Sequence, residues 1–228
     1  MAKVAIFGKT PESKEQLKKE LKKFGFLYTE EKPEIVITYG GDGTFLWAER
    51  KYPGTPKALF RYSKTCVKCH NLPITHALEL LRKKKYTIKT HNKIQAKIDT
   101  TTMLATNDVV IRNALPTHAV RFTLKIDGKQ IDGEIVGDGI VVATTFGATA
   151  YFHSITRKTF NKGIGIAFNN TTIEHKPMFL PETAKIEFTV TRGEAFLVTD
   201  NEPRMVVLTP GKTVKITGTK EKARIIQF

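Results

Sequence analysis

The stretch Ile35-Val36-Ile37-Thr38-Tyr39-Gly40-Gly41-Asp42-Gly43-Thr44 decides the fold of the N-terminal part of this chain. Its first five residues form a short apolar run that is typical of a buried strand, and the glycines end that strand abruptly. The glycines carry no Cβ, so an anion can approach the backbone N–H groups directly. The next segment, residues 45–50, predicts a helix whose N-terminal N–H groups and dipole point at the same anion. The pattern indicates a phosphate-binding loop between a strand and a helix.

Asp42 is the unusual member of this loop, because a carboxylate beside a phosphate repels its own ligand. Its presence is explained if it holds a metal ion or accepts the proton of an attacking hydroxyl, which makes the stretch a signature of phosphoryl transfer. The alternative is an ordinary surface turn, in which an Asp side chain bonds to the backbone two residues on. Short motifs also match by chance, so other parts of the sequence must decide between the two.

The composition of the chain predicts a strongly positive surface. The 228 residues suit one large or two small domains, and 37 Lys and Arg against 22 Asp and Glu give a formal net charge of +15. Such a charge attracts nucleotides, polyphosphate, nucleic acid or anionic lipid, although a solvated lysine-rich surface explains it equally well. The basic run at residues 82–85 has no interleaved aromatic residues for base stacking, which argues against nucleic acid. Signal-peptide and membrane-span patterns are missing, so we expect a cytoplasmic protein without a membrane partner.

The two cysteines stand together in Cys66-Val67-Lys68-Cys69-His70. The spacing matches the c-type haem attachment pattern, but that attachment needs export. Zinc bound by Cys66, Cys69, His70 and His76 is a second reading, with a wider His spacing than usual. A pair of reduced thiols in a cytosolic loop is the favoured interpretation.

Two regimes of secondary structure divide the chain. Residues 1–90 alternate strand and helix patterns, including a helix that starts with a capping box at Ser13 and Gln16. This order predicts a Rossmann-like α/β domain with a parallel sheet and the glycine loop at the carboxyl ends of its strands. Residues 91–228 contain many short strands with turn signals such as Asp127-Gly128, which predicts a β-sandwich-like, all-β domain. It is left open whether the last residues return to the N-terminal domain.

Two further stretches carry possible binding groups. Asn107-Asp108, just before a β run, offers an amide and a carboxylate that can hold a ribose hydroxyl or a carboxamide, or simply form a turn. The segment 137–154 runs from a strand into small and hydroxyl residues followed by Tyr151. Small residues let a flat ring approach the backbone, while Tyr151 can stack and Thr149 and Ser154 can donate hydrogen bonds. A tightly packed corner of a β domain is the alternative.

Taken in order, these three motifs resemble the NAD kinase family: Gly-Gly-Asp-Gly-Thr, then Asn-acidic, then Asp-Gly…Thr…Gly-x-Thr-Ala-Tyr-x-x-Ser. The resemblance spans about two-thirds of the chain and implies an N-terminal α/β domain with a C-terminal β domain. It further implies Mg-dependent phosphoryl transfer from ATP, or polyphosphate, to the 2′-hydroxyl of the NAD adenosine ribose, giving NADP. Homodimers or tetramers with a site built between subunits are also implied.

The resemblance assigns roles to residues at the matching positions. Asp42 would be catalytic, taking the 2′-hydroxyl proton or organising Mg²⁺, and no dedicated protein metal site is implied. The phosphate would bind at Gly41, Gly43 and Thr44. The dinucleotide would bind at Asn107, Asp108, Asp138, Thr149, Ala150, Tyr151 and Ser154.

The chain also departs from the family pattern. Asp108 is one methylene shorter than the usual Glu, and Thr145-Phe146 replaces Pro-Thr. The family's Asn-x-Gly-x-Leu-Gly-Phe-Leu segment, whose aromatic residue contacts adenine, has no counterpart near residues 59–62. Two alternatives therefore stay open: a lipid kinase acting on diacylglycerol or sphingoid bases, which shares the GGDGT start, and a non-catalytic nucleotide- or nucleic-acid-binding protein.

Overall fold

The computed structural model describes residues 2–62 and 66–228, which form two compact units. The first unit comprises residues 1–91 together with 222–228, and the second comprises residues 92–221. The chain thus returns to the first unit with its last seven residues. The final strand, Thr213–Gln227, begins in the second unit and ends in the first.

The first unit is a parallel sheet flanked by helices. Its strands run in the order β2-β1-β3-β4, and Ile225 of the final strand pairs in parallel with Lys57 of the last of them. The strands are β1 (Lys3–Gly8), β2 (Leu27–Tyr28), β3 (Ile35–Gly40) and β4 (Lys57–Arg61). The helices are α1 (Pro11–Lys23), α2 (Asp42–Lys51) and α3 (Ile74–Arg82). This is the predicted Rossmann-like arrangement.

Helix α1 begins three residues earlier than the predicted capping box at Ser13 and Gln16. Thr10 is the N-cap: its Oγ1 accepts a hydrogen bond from the Ser13 N–H at 3.2 Å, and the Thr10 N–H donates to Ser13 Oγ at 3.0 Å. The serine thus takes the part that Glu or Gln plays in the common capping box. Pro11 follows at the first helical position, where its missing N–H costs nothing.

One apolar cluster holds the strands and helices of the first unit together. Its members are Val4, Ile6, Leu17, Leu21, Ile35, Ile37, Ala58, Phe60, Ala77, Leu78, Leu81 and Ile226. Burying a side chain such as Leu17 or Leu78 contributes about 1.5–3 kcal/mol relative to leaving it exposed. The cluster fixes β3 between β1 and β4, so the loop at the end of β3 starts from a rigid position.

The second unit consists of two largely antiparallel sheets that share one apolar core. One sheet contains β5 (Thr87–Ile98), β6 (Thr101–Ala105), β8 (Val120–Ile126), β9 (Lys129–Gly137), β13 (Ile186–Arg192) and the start of β16 (Thr213–Gln227). The other contains β7 (Asp108–Asn113), β10 (Gly139–Thr144), β11 (Ile164–Asn169), β12 (Met178–Leu180), β14 (Ala195–Thr199) and β15 (Val206–Leu208). Phe122 and Phe188 stack with ring centroids 4.5 Å apart inside this core. The predicted combination of an α/β domain and a sandwich-like β domain is confirmed.

A 3₁₀ turn (Gly147–Thr149) and the short helix α4 (Tyr151–Thr156) follow β10 and cover the outer side of its sheet. Phe152 is fully buried there with Val141 and Ala167. Among the described residues, the helices are all too short or too polar to cross a bilayer.

Candidate functional site

The glycine loop leaves the carboxyl end of β3 and leads directly into α2. Gly40 pairs with Arg61 at the end of β4, and Asp42 is the first helical residue. A Cβ on Gly40 would lie 2.1 Å from Thr44 Oγ1 and 2.8 Å from Thr44 Cβ, so only glycine allows this sharp turn. The Thr44 hydroxyl is buried and accepts a 3.4 Å hydrogen bond from the Gly41 N–H. The loop therefore presents the partly exposed Gly41 and the exposed Gly43 at a helix N-terminus, which suits an anion.

The carboxylate of Asp42 is occupied by a second loop of the same unit. The backbone N–H of Val67 donates to Asp42 Oδ2 at 3.2 Å, and the N–H of Lys68 donates to Oδ1 at 3.1 Å. Cys66 Sγ lies 3.2 Å from Oδ1. Hydrogen bonds of this kind fix the orientation of the carboxylate group. We call residues 66–69 the cysteine loop.

Cys66 and Cys69 form a disulfide, with their Cα atoms 5.6 Å apart. The favoured interpretation of two reduced thiols was therefore wrong. The loop turns back on itself so that the Cα atoms come within the 4.4–6.8 Å range that a disulfide needs. Composition and compartment, from which the thiols were argued, carry no information about this turn.

The structure does not bring together the four side chains of the hypothetical zinc site, Cys66, Cys69, His70 and His76. Within the described part of the chain, the side chains close enough to share an ion are Asp42, Cys66 and Cys69, whose donor atoms lie within 4.8 Å of one another. His70 instead places its Nε2 2.8 Å from the carbonyl oxygen of Ile226. In the disulfide form the sulfurs are bonded to each other and provide no thiolate ligand.

In the second unit, the Asn107-Asp108 turn is held by Asp200. The Asp200 carboxylate accepts hydrogen bonds from the backbone N–H groups of Thr106, Asn107 and Asp108 at 2.8, 2.7 and 3.2 Å. The Asp200 N–H in turn donates to the Asp108 carbonyl at 3.0 Å. Three converging N–H groups form an anion-binding turn that a protein carboxylate already fills, so the turn is rigid before any ligand binds.

Two buried carboxyl groups, Asp108 and Asp200, meet at this turn, and the pKa of each is raised. Burial, with the nearby negative charge of Asp200, raises the pKa of Asp108 to about 7. Burial also raises the pKa of Asp200, while the three backbone N–H groups oppose the change. Asp108 is almost fully buried, and burial favours the protonated form of its carboxyl group.

Thr144 joins this turn to the corner that follows β10. Its Oγ1 donates to the Thr106 carbonyl at 2.5 Å and accepts from the N–H groups of Phe146 and Gly147 at 3.1 and 3.2 Å. A Cβ on Gly147 would lie 2.2 Å from the Asn107 carbonyl oxygen. The Asn-Asp turn and the small-residue corner, 40 residues apart in the sequence, therefore form one packed cluster.

The predicted dinucleotide-binding residues of the corner lie at the start of α4. Thr149 and Ser154 are exposed, and Ala150 and Tyr151 are partly buried. Ser154 Oγ donates to the Ala150 carbonyl at 3.2 Å, and Tyr151 Oη accepts from Asn169 Nδ2 at 3.4 Å. The corner thus presents short polar side chains and one aromatic ring next to the Asn107 turn.

Asp138 is the one predicted residue of the second unit that lies away from this cluster. It precedes β10, whereas Thr144 ends it, which separates the two by about 20 Å at roughly 3.3 Å per residue. Asn113 and Asn170 donate to its carboxylate through their Nδ2 atoms at 3.4 and 3.2 Å. Within one chain, Asp138 therefore belongs to the opposite end of the sheet.

Sequence reasoning missed Asp200 and Thr144, which hold the cluster together. Both follow or end a strand, and Asp200 stands in a Thr199-Asp200-Asn201 turn that looks like any other polar turn. The available signal was its position at the end of β14, which is the neighbour of β7 and so of Asp108. Strand neighbours in an antiparallel sheet cannot be read from a single sequence, so this signal needed the structure.

Comparison with known proteins agrees with these motifs. The family description "ATP-NAD kinase C-terminal domain" matches residues 106–228, which is more than half of the chain. A NAD kinase of Sulfurisphaera tokodaii is 32% identical over 90% of this chain and 85% of its own length. The chain belongs to the NAD kinase family. A second relative, the NAD kinase of Methanopyrus kandleri, is 27% identical over 86% of this chain and 73% of its own.

Solved structures of NAD and NADH kinases share the fold. The NAD kinase of Archaeoglobus fulgidus, solved in complex with ATP, superposes with a TM-score of 0.85 at 19% identity, covering 99% of this chain and 93% of that one. The yeast NADH kinase complexed with NADH gives 0.88 at 14% identity, covering 100% and 84%. This membership makes the chain a kinase of the NAD kinase family, rather than one of the lipid kinases that share the GGDGT motif.

Proposed function

We propose that this NAD kinase family member transfers the γ-phosphoryl group of ATP to the 2′-hydroxyl of the NAD adenosine ribose, giving NADP. The observation that carries the proposal is the position of Asp42, a partly exposed carboxylate at the N-terminus of α2, between two glycines whose missing Cβ atoms let a phosphate approach the backbone. Asp42 accepts the proton of the attacking hydroxyl, while Gly41 and Gly43 bind phosphate. Positioning and charge stabilisation supply most of the rate in reactions of this kind.

In this proposal, Mg²⁺ binds to the enzyme together with the phosphoryl donor. Mg²⁺ is commonly bound by one or two carboxylates together with substrate phosphates and waters, rather than by a full set of protein ligands. Asp42 offers one carboxylate at the phosphate loop, which agrees with that coordination chemistry. When bound, the ion neutralises charge that develops on the transferred group. Polyphosphate is the alternative donor, and the net charge of +15 suits either polyanion.

In the second unit, the cluster around Asn107 binds the dinucleotide. Asn107 and Asp108 face a ribose hydroxyl or the carboxamide, and Thr149, Ala150, Tyr151 and Ser154 line the corner that receives a flat ring. The rigid turn held by Asp200 supports this role, because binding then costs little ordering. Asp138 lies at the other end of β10, so we assign it to the dinucleotide of a second copy in a dimer or tetramer.

The test measures NADP formation with an NADP-specific dehydrogenase, using Mg-ATP or Mg-polyphosphate as donor. Wild type should form NADP, and Asp42→Asn should lower kcat by about a hundredfold or more while the KM for NAD changes little. Asp99→Asn, which changes an exposed aspartate paired with Lys212, is the matched control and should retain activity. If wild type forms no NADP with either donor, the proposed reaction is wrong.

A further inference from the structure

The cysteine loop is the part of the first unit that the reaction above does not use, although it contacts the catalytic carboxylate directly. Its two sulfurs form a disulfide, and the two residues between them donate their N–H groups to Asp42. A four-residue ring therefore aims both amides at one side chain. Those two hydrogen bonds occupy one lone pair on each oxygen of the group that must accept a proton.

The ends of the cysteine loop are anchored independently of the disulfide. The Cys66 carbonyl accepts a 2.8 Å hydrogen bond from Arg61 Nη2. On the other side, the His70 N–H donates to the Leu59 carbonyl at 2.9 Å, and its ring bonds to Ile226. Breaking the S–S bond therefore frees the middle of the loop, at Val67 and Lys68, without detaching it from the sheet.

The environment of the loop permits reduction. The Val67 side chain is 70% exposed, so the crest of the loop lies in solvent. Cys69 is partly exposed, whereas Cys66 is 5% exposed and its sulfur lies against the Asp42 carboxylate. An external thiolate therefore reaches the Cys69 sulfur more easily than the Cys66 sulfur.

We propose that the Cys66–Cys69 pair is a redox latch on Asp42: the disulfide form holds the two amides on the carboxylate and slows phosphoryl transfer, and a dithiol reductant releases them. This inference rests on the proposed function in assigning Asp42 its role. It adds that the thiol–disulfide state of the cysteine pair regulates Asp42. Neither the GGDGT motif nor the family resemblance implies this regulation.

The reductive step balances as ordinary thiol–disulfide exchange. A thiolate of the dithiol attacks Cys69 Sγ, the S–S bond breaks, and Cys66 leaves as a thiolate that takes up a proton. The second thiol of the reductant then attacks the mixed disulfide and releases Cys69. Two electrons and two protons pass to the protein pair, and the reductant becomes its own cyclic disulfide. The freed loop regains backbone entropy that the closed ring had removed, which favours release of Asp42.

The test compares oxidised and dithiol-reduced wild type, in metal-free buffers to which only Mg²⁺ is added. We expect kcat to be about fivefold or more lower in the oxidised form, since the two amides leave each Asp42 oxygen one lone pair fewer for the attacking hydroxyl and for Mg²⁺. The Cys66→Ser/Cys69→Ser variant should have the kcat of the reduced enzyme, and this kcat should not change when the reductant is added. Because the chain has two cysteines in total, a redox response of the monomer must come from this pair, and a non-reducing gel excludes cross-linked chains.

A second readout does not depend on catalysis. Amide hydrogen exchange at Val67 and Lys68 should be about tenfold slower in the oxidised protein than in the reduced protein or the double serine variant. Equal exchange rates, or a kcat that is unchanged or lower on reduction, overturn the latch. If neither form makes NADP, the proposed function fails, and the latch is then decided by the exchange rates alone.

Discussion

The backbone N–H of Asn107 donates a 2.7 Å hydrogen bond to Asp200 Oδ1, although 93 residues separate the two in the sequence. The same carboxylate also binds the N–H groups of Thr106 and Asp108. Asp200 thereby sets the backbone path of the turn that we propose to hold the dinucleotide. It acts through that turn, so it is a positioning residue.

Replacing Asp200 by Asn should weaken NAD binding more than it slows the chemical step. The amide keeps the size of the side chain but removes its charge and one accepting oxygen, and a hydrogen bond to a charged group is worth about 1.5–3 kcal/mol. We expect the KM for NAD to rise about tenfold or more, with kcat changing about twofold or less. Steady-state kinetics with varied NAD measures both.

The control for this prediction is Asp127→Asn. Asp127 Oδ1 accepts a 2.9 Å hydrogen bond from the Lys185 N–H, at a hairpin of the same unit that belongs to neither site cluster. It should lower the melting temperature as Asp200→Asn does, but leave the KM for NAD unchanged. An equal rise in KM in both variants would show that Asp200 is merely structural.

Asp108 should make the protein less stable as pH rises. Its pKa is about 7 in the folded chain against an ordinary 3.8, so between these values the folded state binds a proton that the unfolded state has released. The free energy of unfolding therefore falls as pH rises from about 4 to about 8, by an amount on the order of 3 to 4 kcal/mol. Asp108→Asn should remove this part of the slope.

Urea unfolding at several pH values between 5 and 8 checks this expectation. The Asp99→Asn variant should keep the wild-type slope, since the Asp99 side chain is 65% exposed and pairs with Lys212 at the surface. A wild-type slope in Asp108→Asn would mean that this carboxyl is ionised throughout the range.

Local sequence patterns predicted most of the helices and strands. They did not predict the contacts between segments that are far apart in the sequence. The glycine loop and helix α2 follow from apolar periodicity and from glycine positions, whereas the short helix α4 lies in a part of the chain for which only strands and a small-residue corner were predicted. The link between Asp200 and Asn107 depends on which strands are neighbours, and the disulfide depends on how tightly one loop turns. Neither the pairing of the strands nor the tightness of the loop produces a periodic pattern or a biased composition in the sequence. The structure was also needed to show that Asp138 is separated from the other proposed dinucleotide-binding residues by the length of β10.

Gly147→Ala should disrupt the dinucleotide corner. The new Cβ would lie 2.2 Å from the carbonyl oxygen of Asn107 and 2.6 Å from its carbonyl carbon, and both are backbone atoms that cannot rotate away. Overpacking of this kind costs about 1–3 kcal/mol, and the displaced turn should also raise the KM for NAD about tenfold or more. Gly133→Ala is the matched control, because nothing lies within 4 Å of its added Cβ. Thermal melts and NAD titrations of the two variants should differ clearly, and equal behaviour would contradict the close approach.

The first unit contains a buried ion pair whose loss should be costly. Lys57 is fully buried on β4, where its ammonium group contacts the Glu49 carboxylate and donates to the Thr55 carbonyl at 2.8 Å. Lys57→Met leaves the Glu49 charge buried without its cation. Removing one member of a buried pair usually costs about 3–5 kcal/mol, so we expect a loss of that size in urea unfolding.

The double variant Glu49→Leu/Lys57→Met separates loss of charge balance from loss of packing. Two apolar residues of similar volume often replace a buried ion pair at little cost, so the double variant should recover most of the stability that Lys57→Met loses. The Gly54 N–H, which donates to Glu49 Oε1 at 3.0 Å, would lose its partner, and this limits the recovery by about 1–3 kcal/mol. A double variant no more stable than Lys57→Met would show that Lys57 matters for the carbonyls it binds rather than for the charge of Glu49.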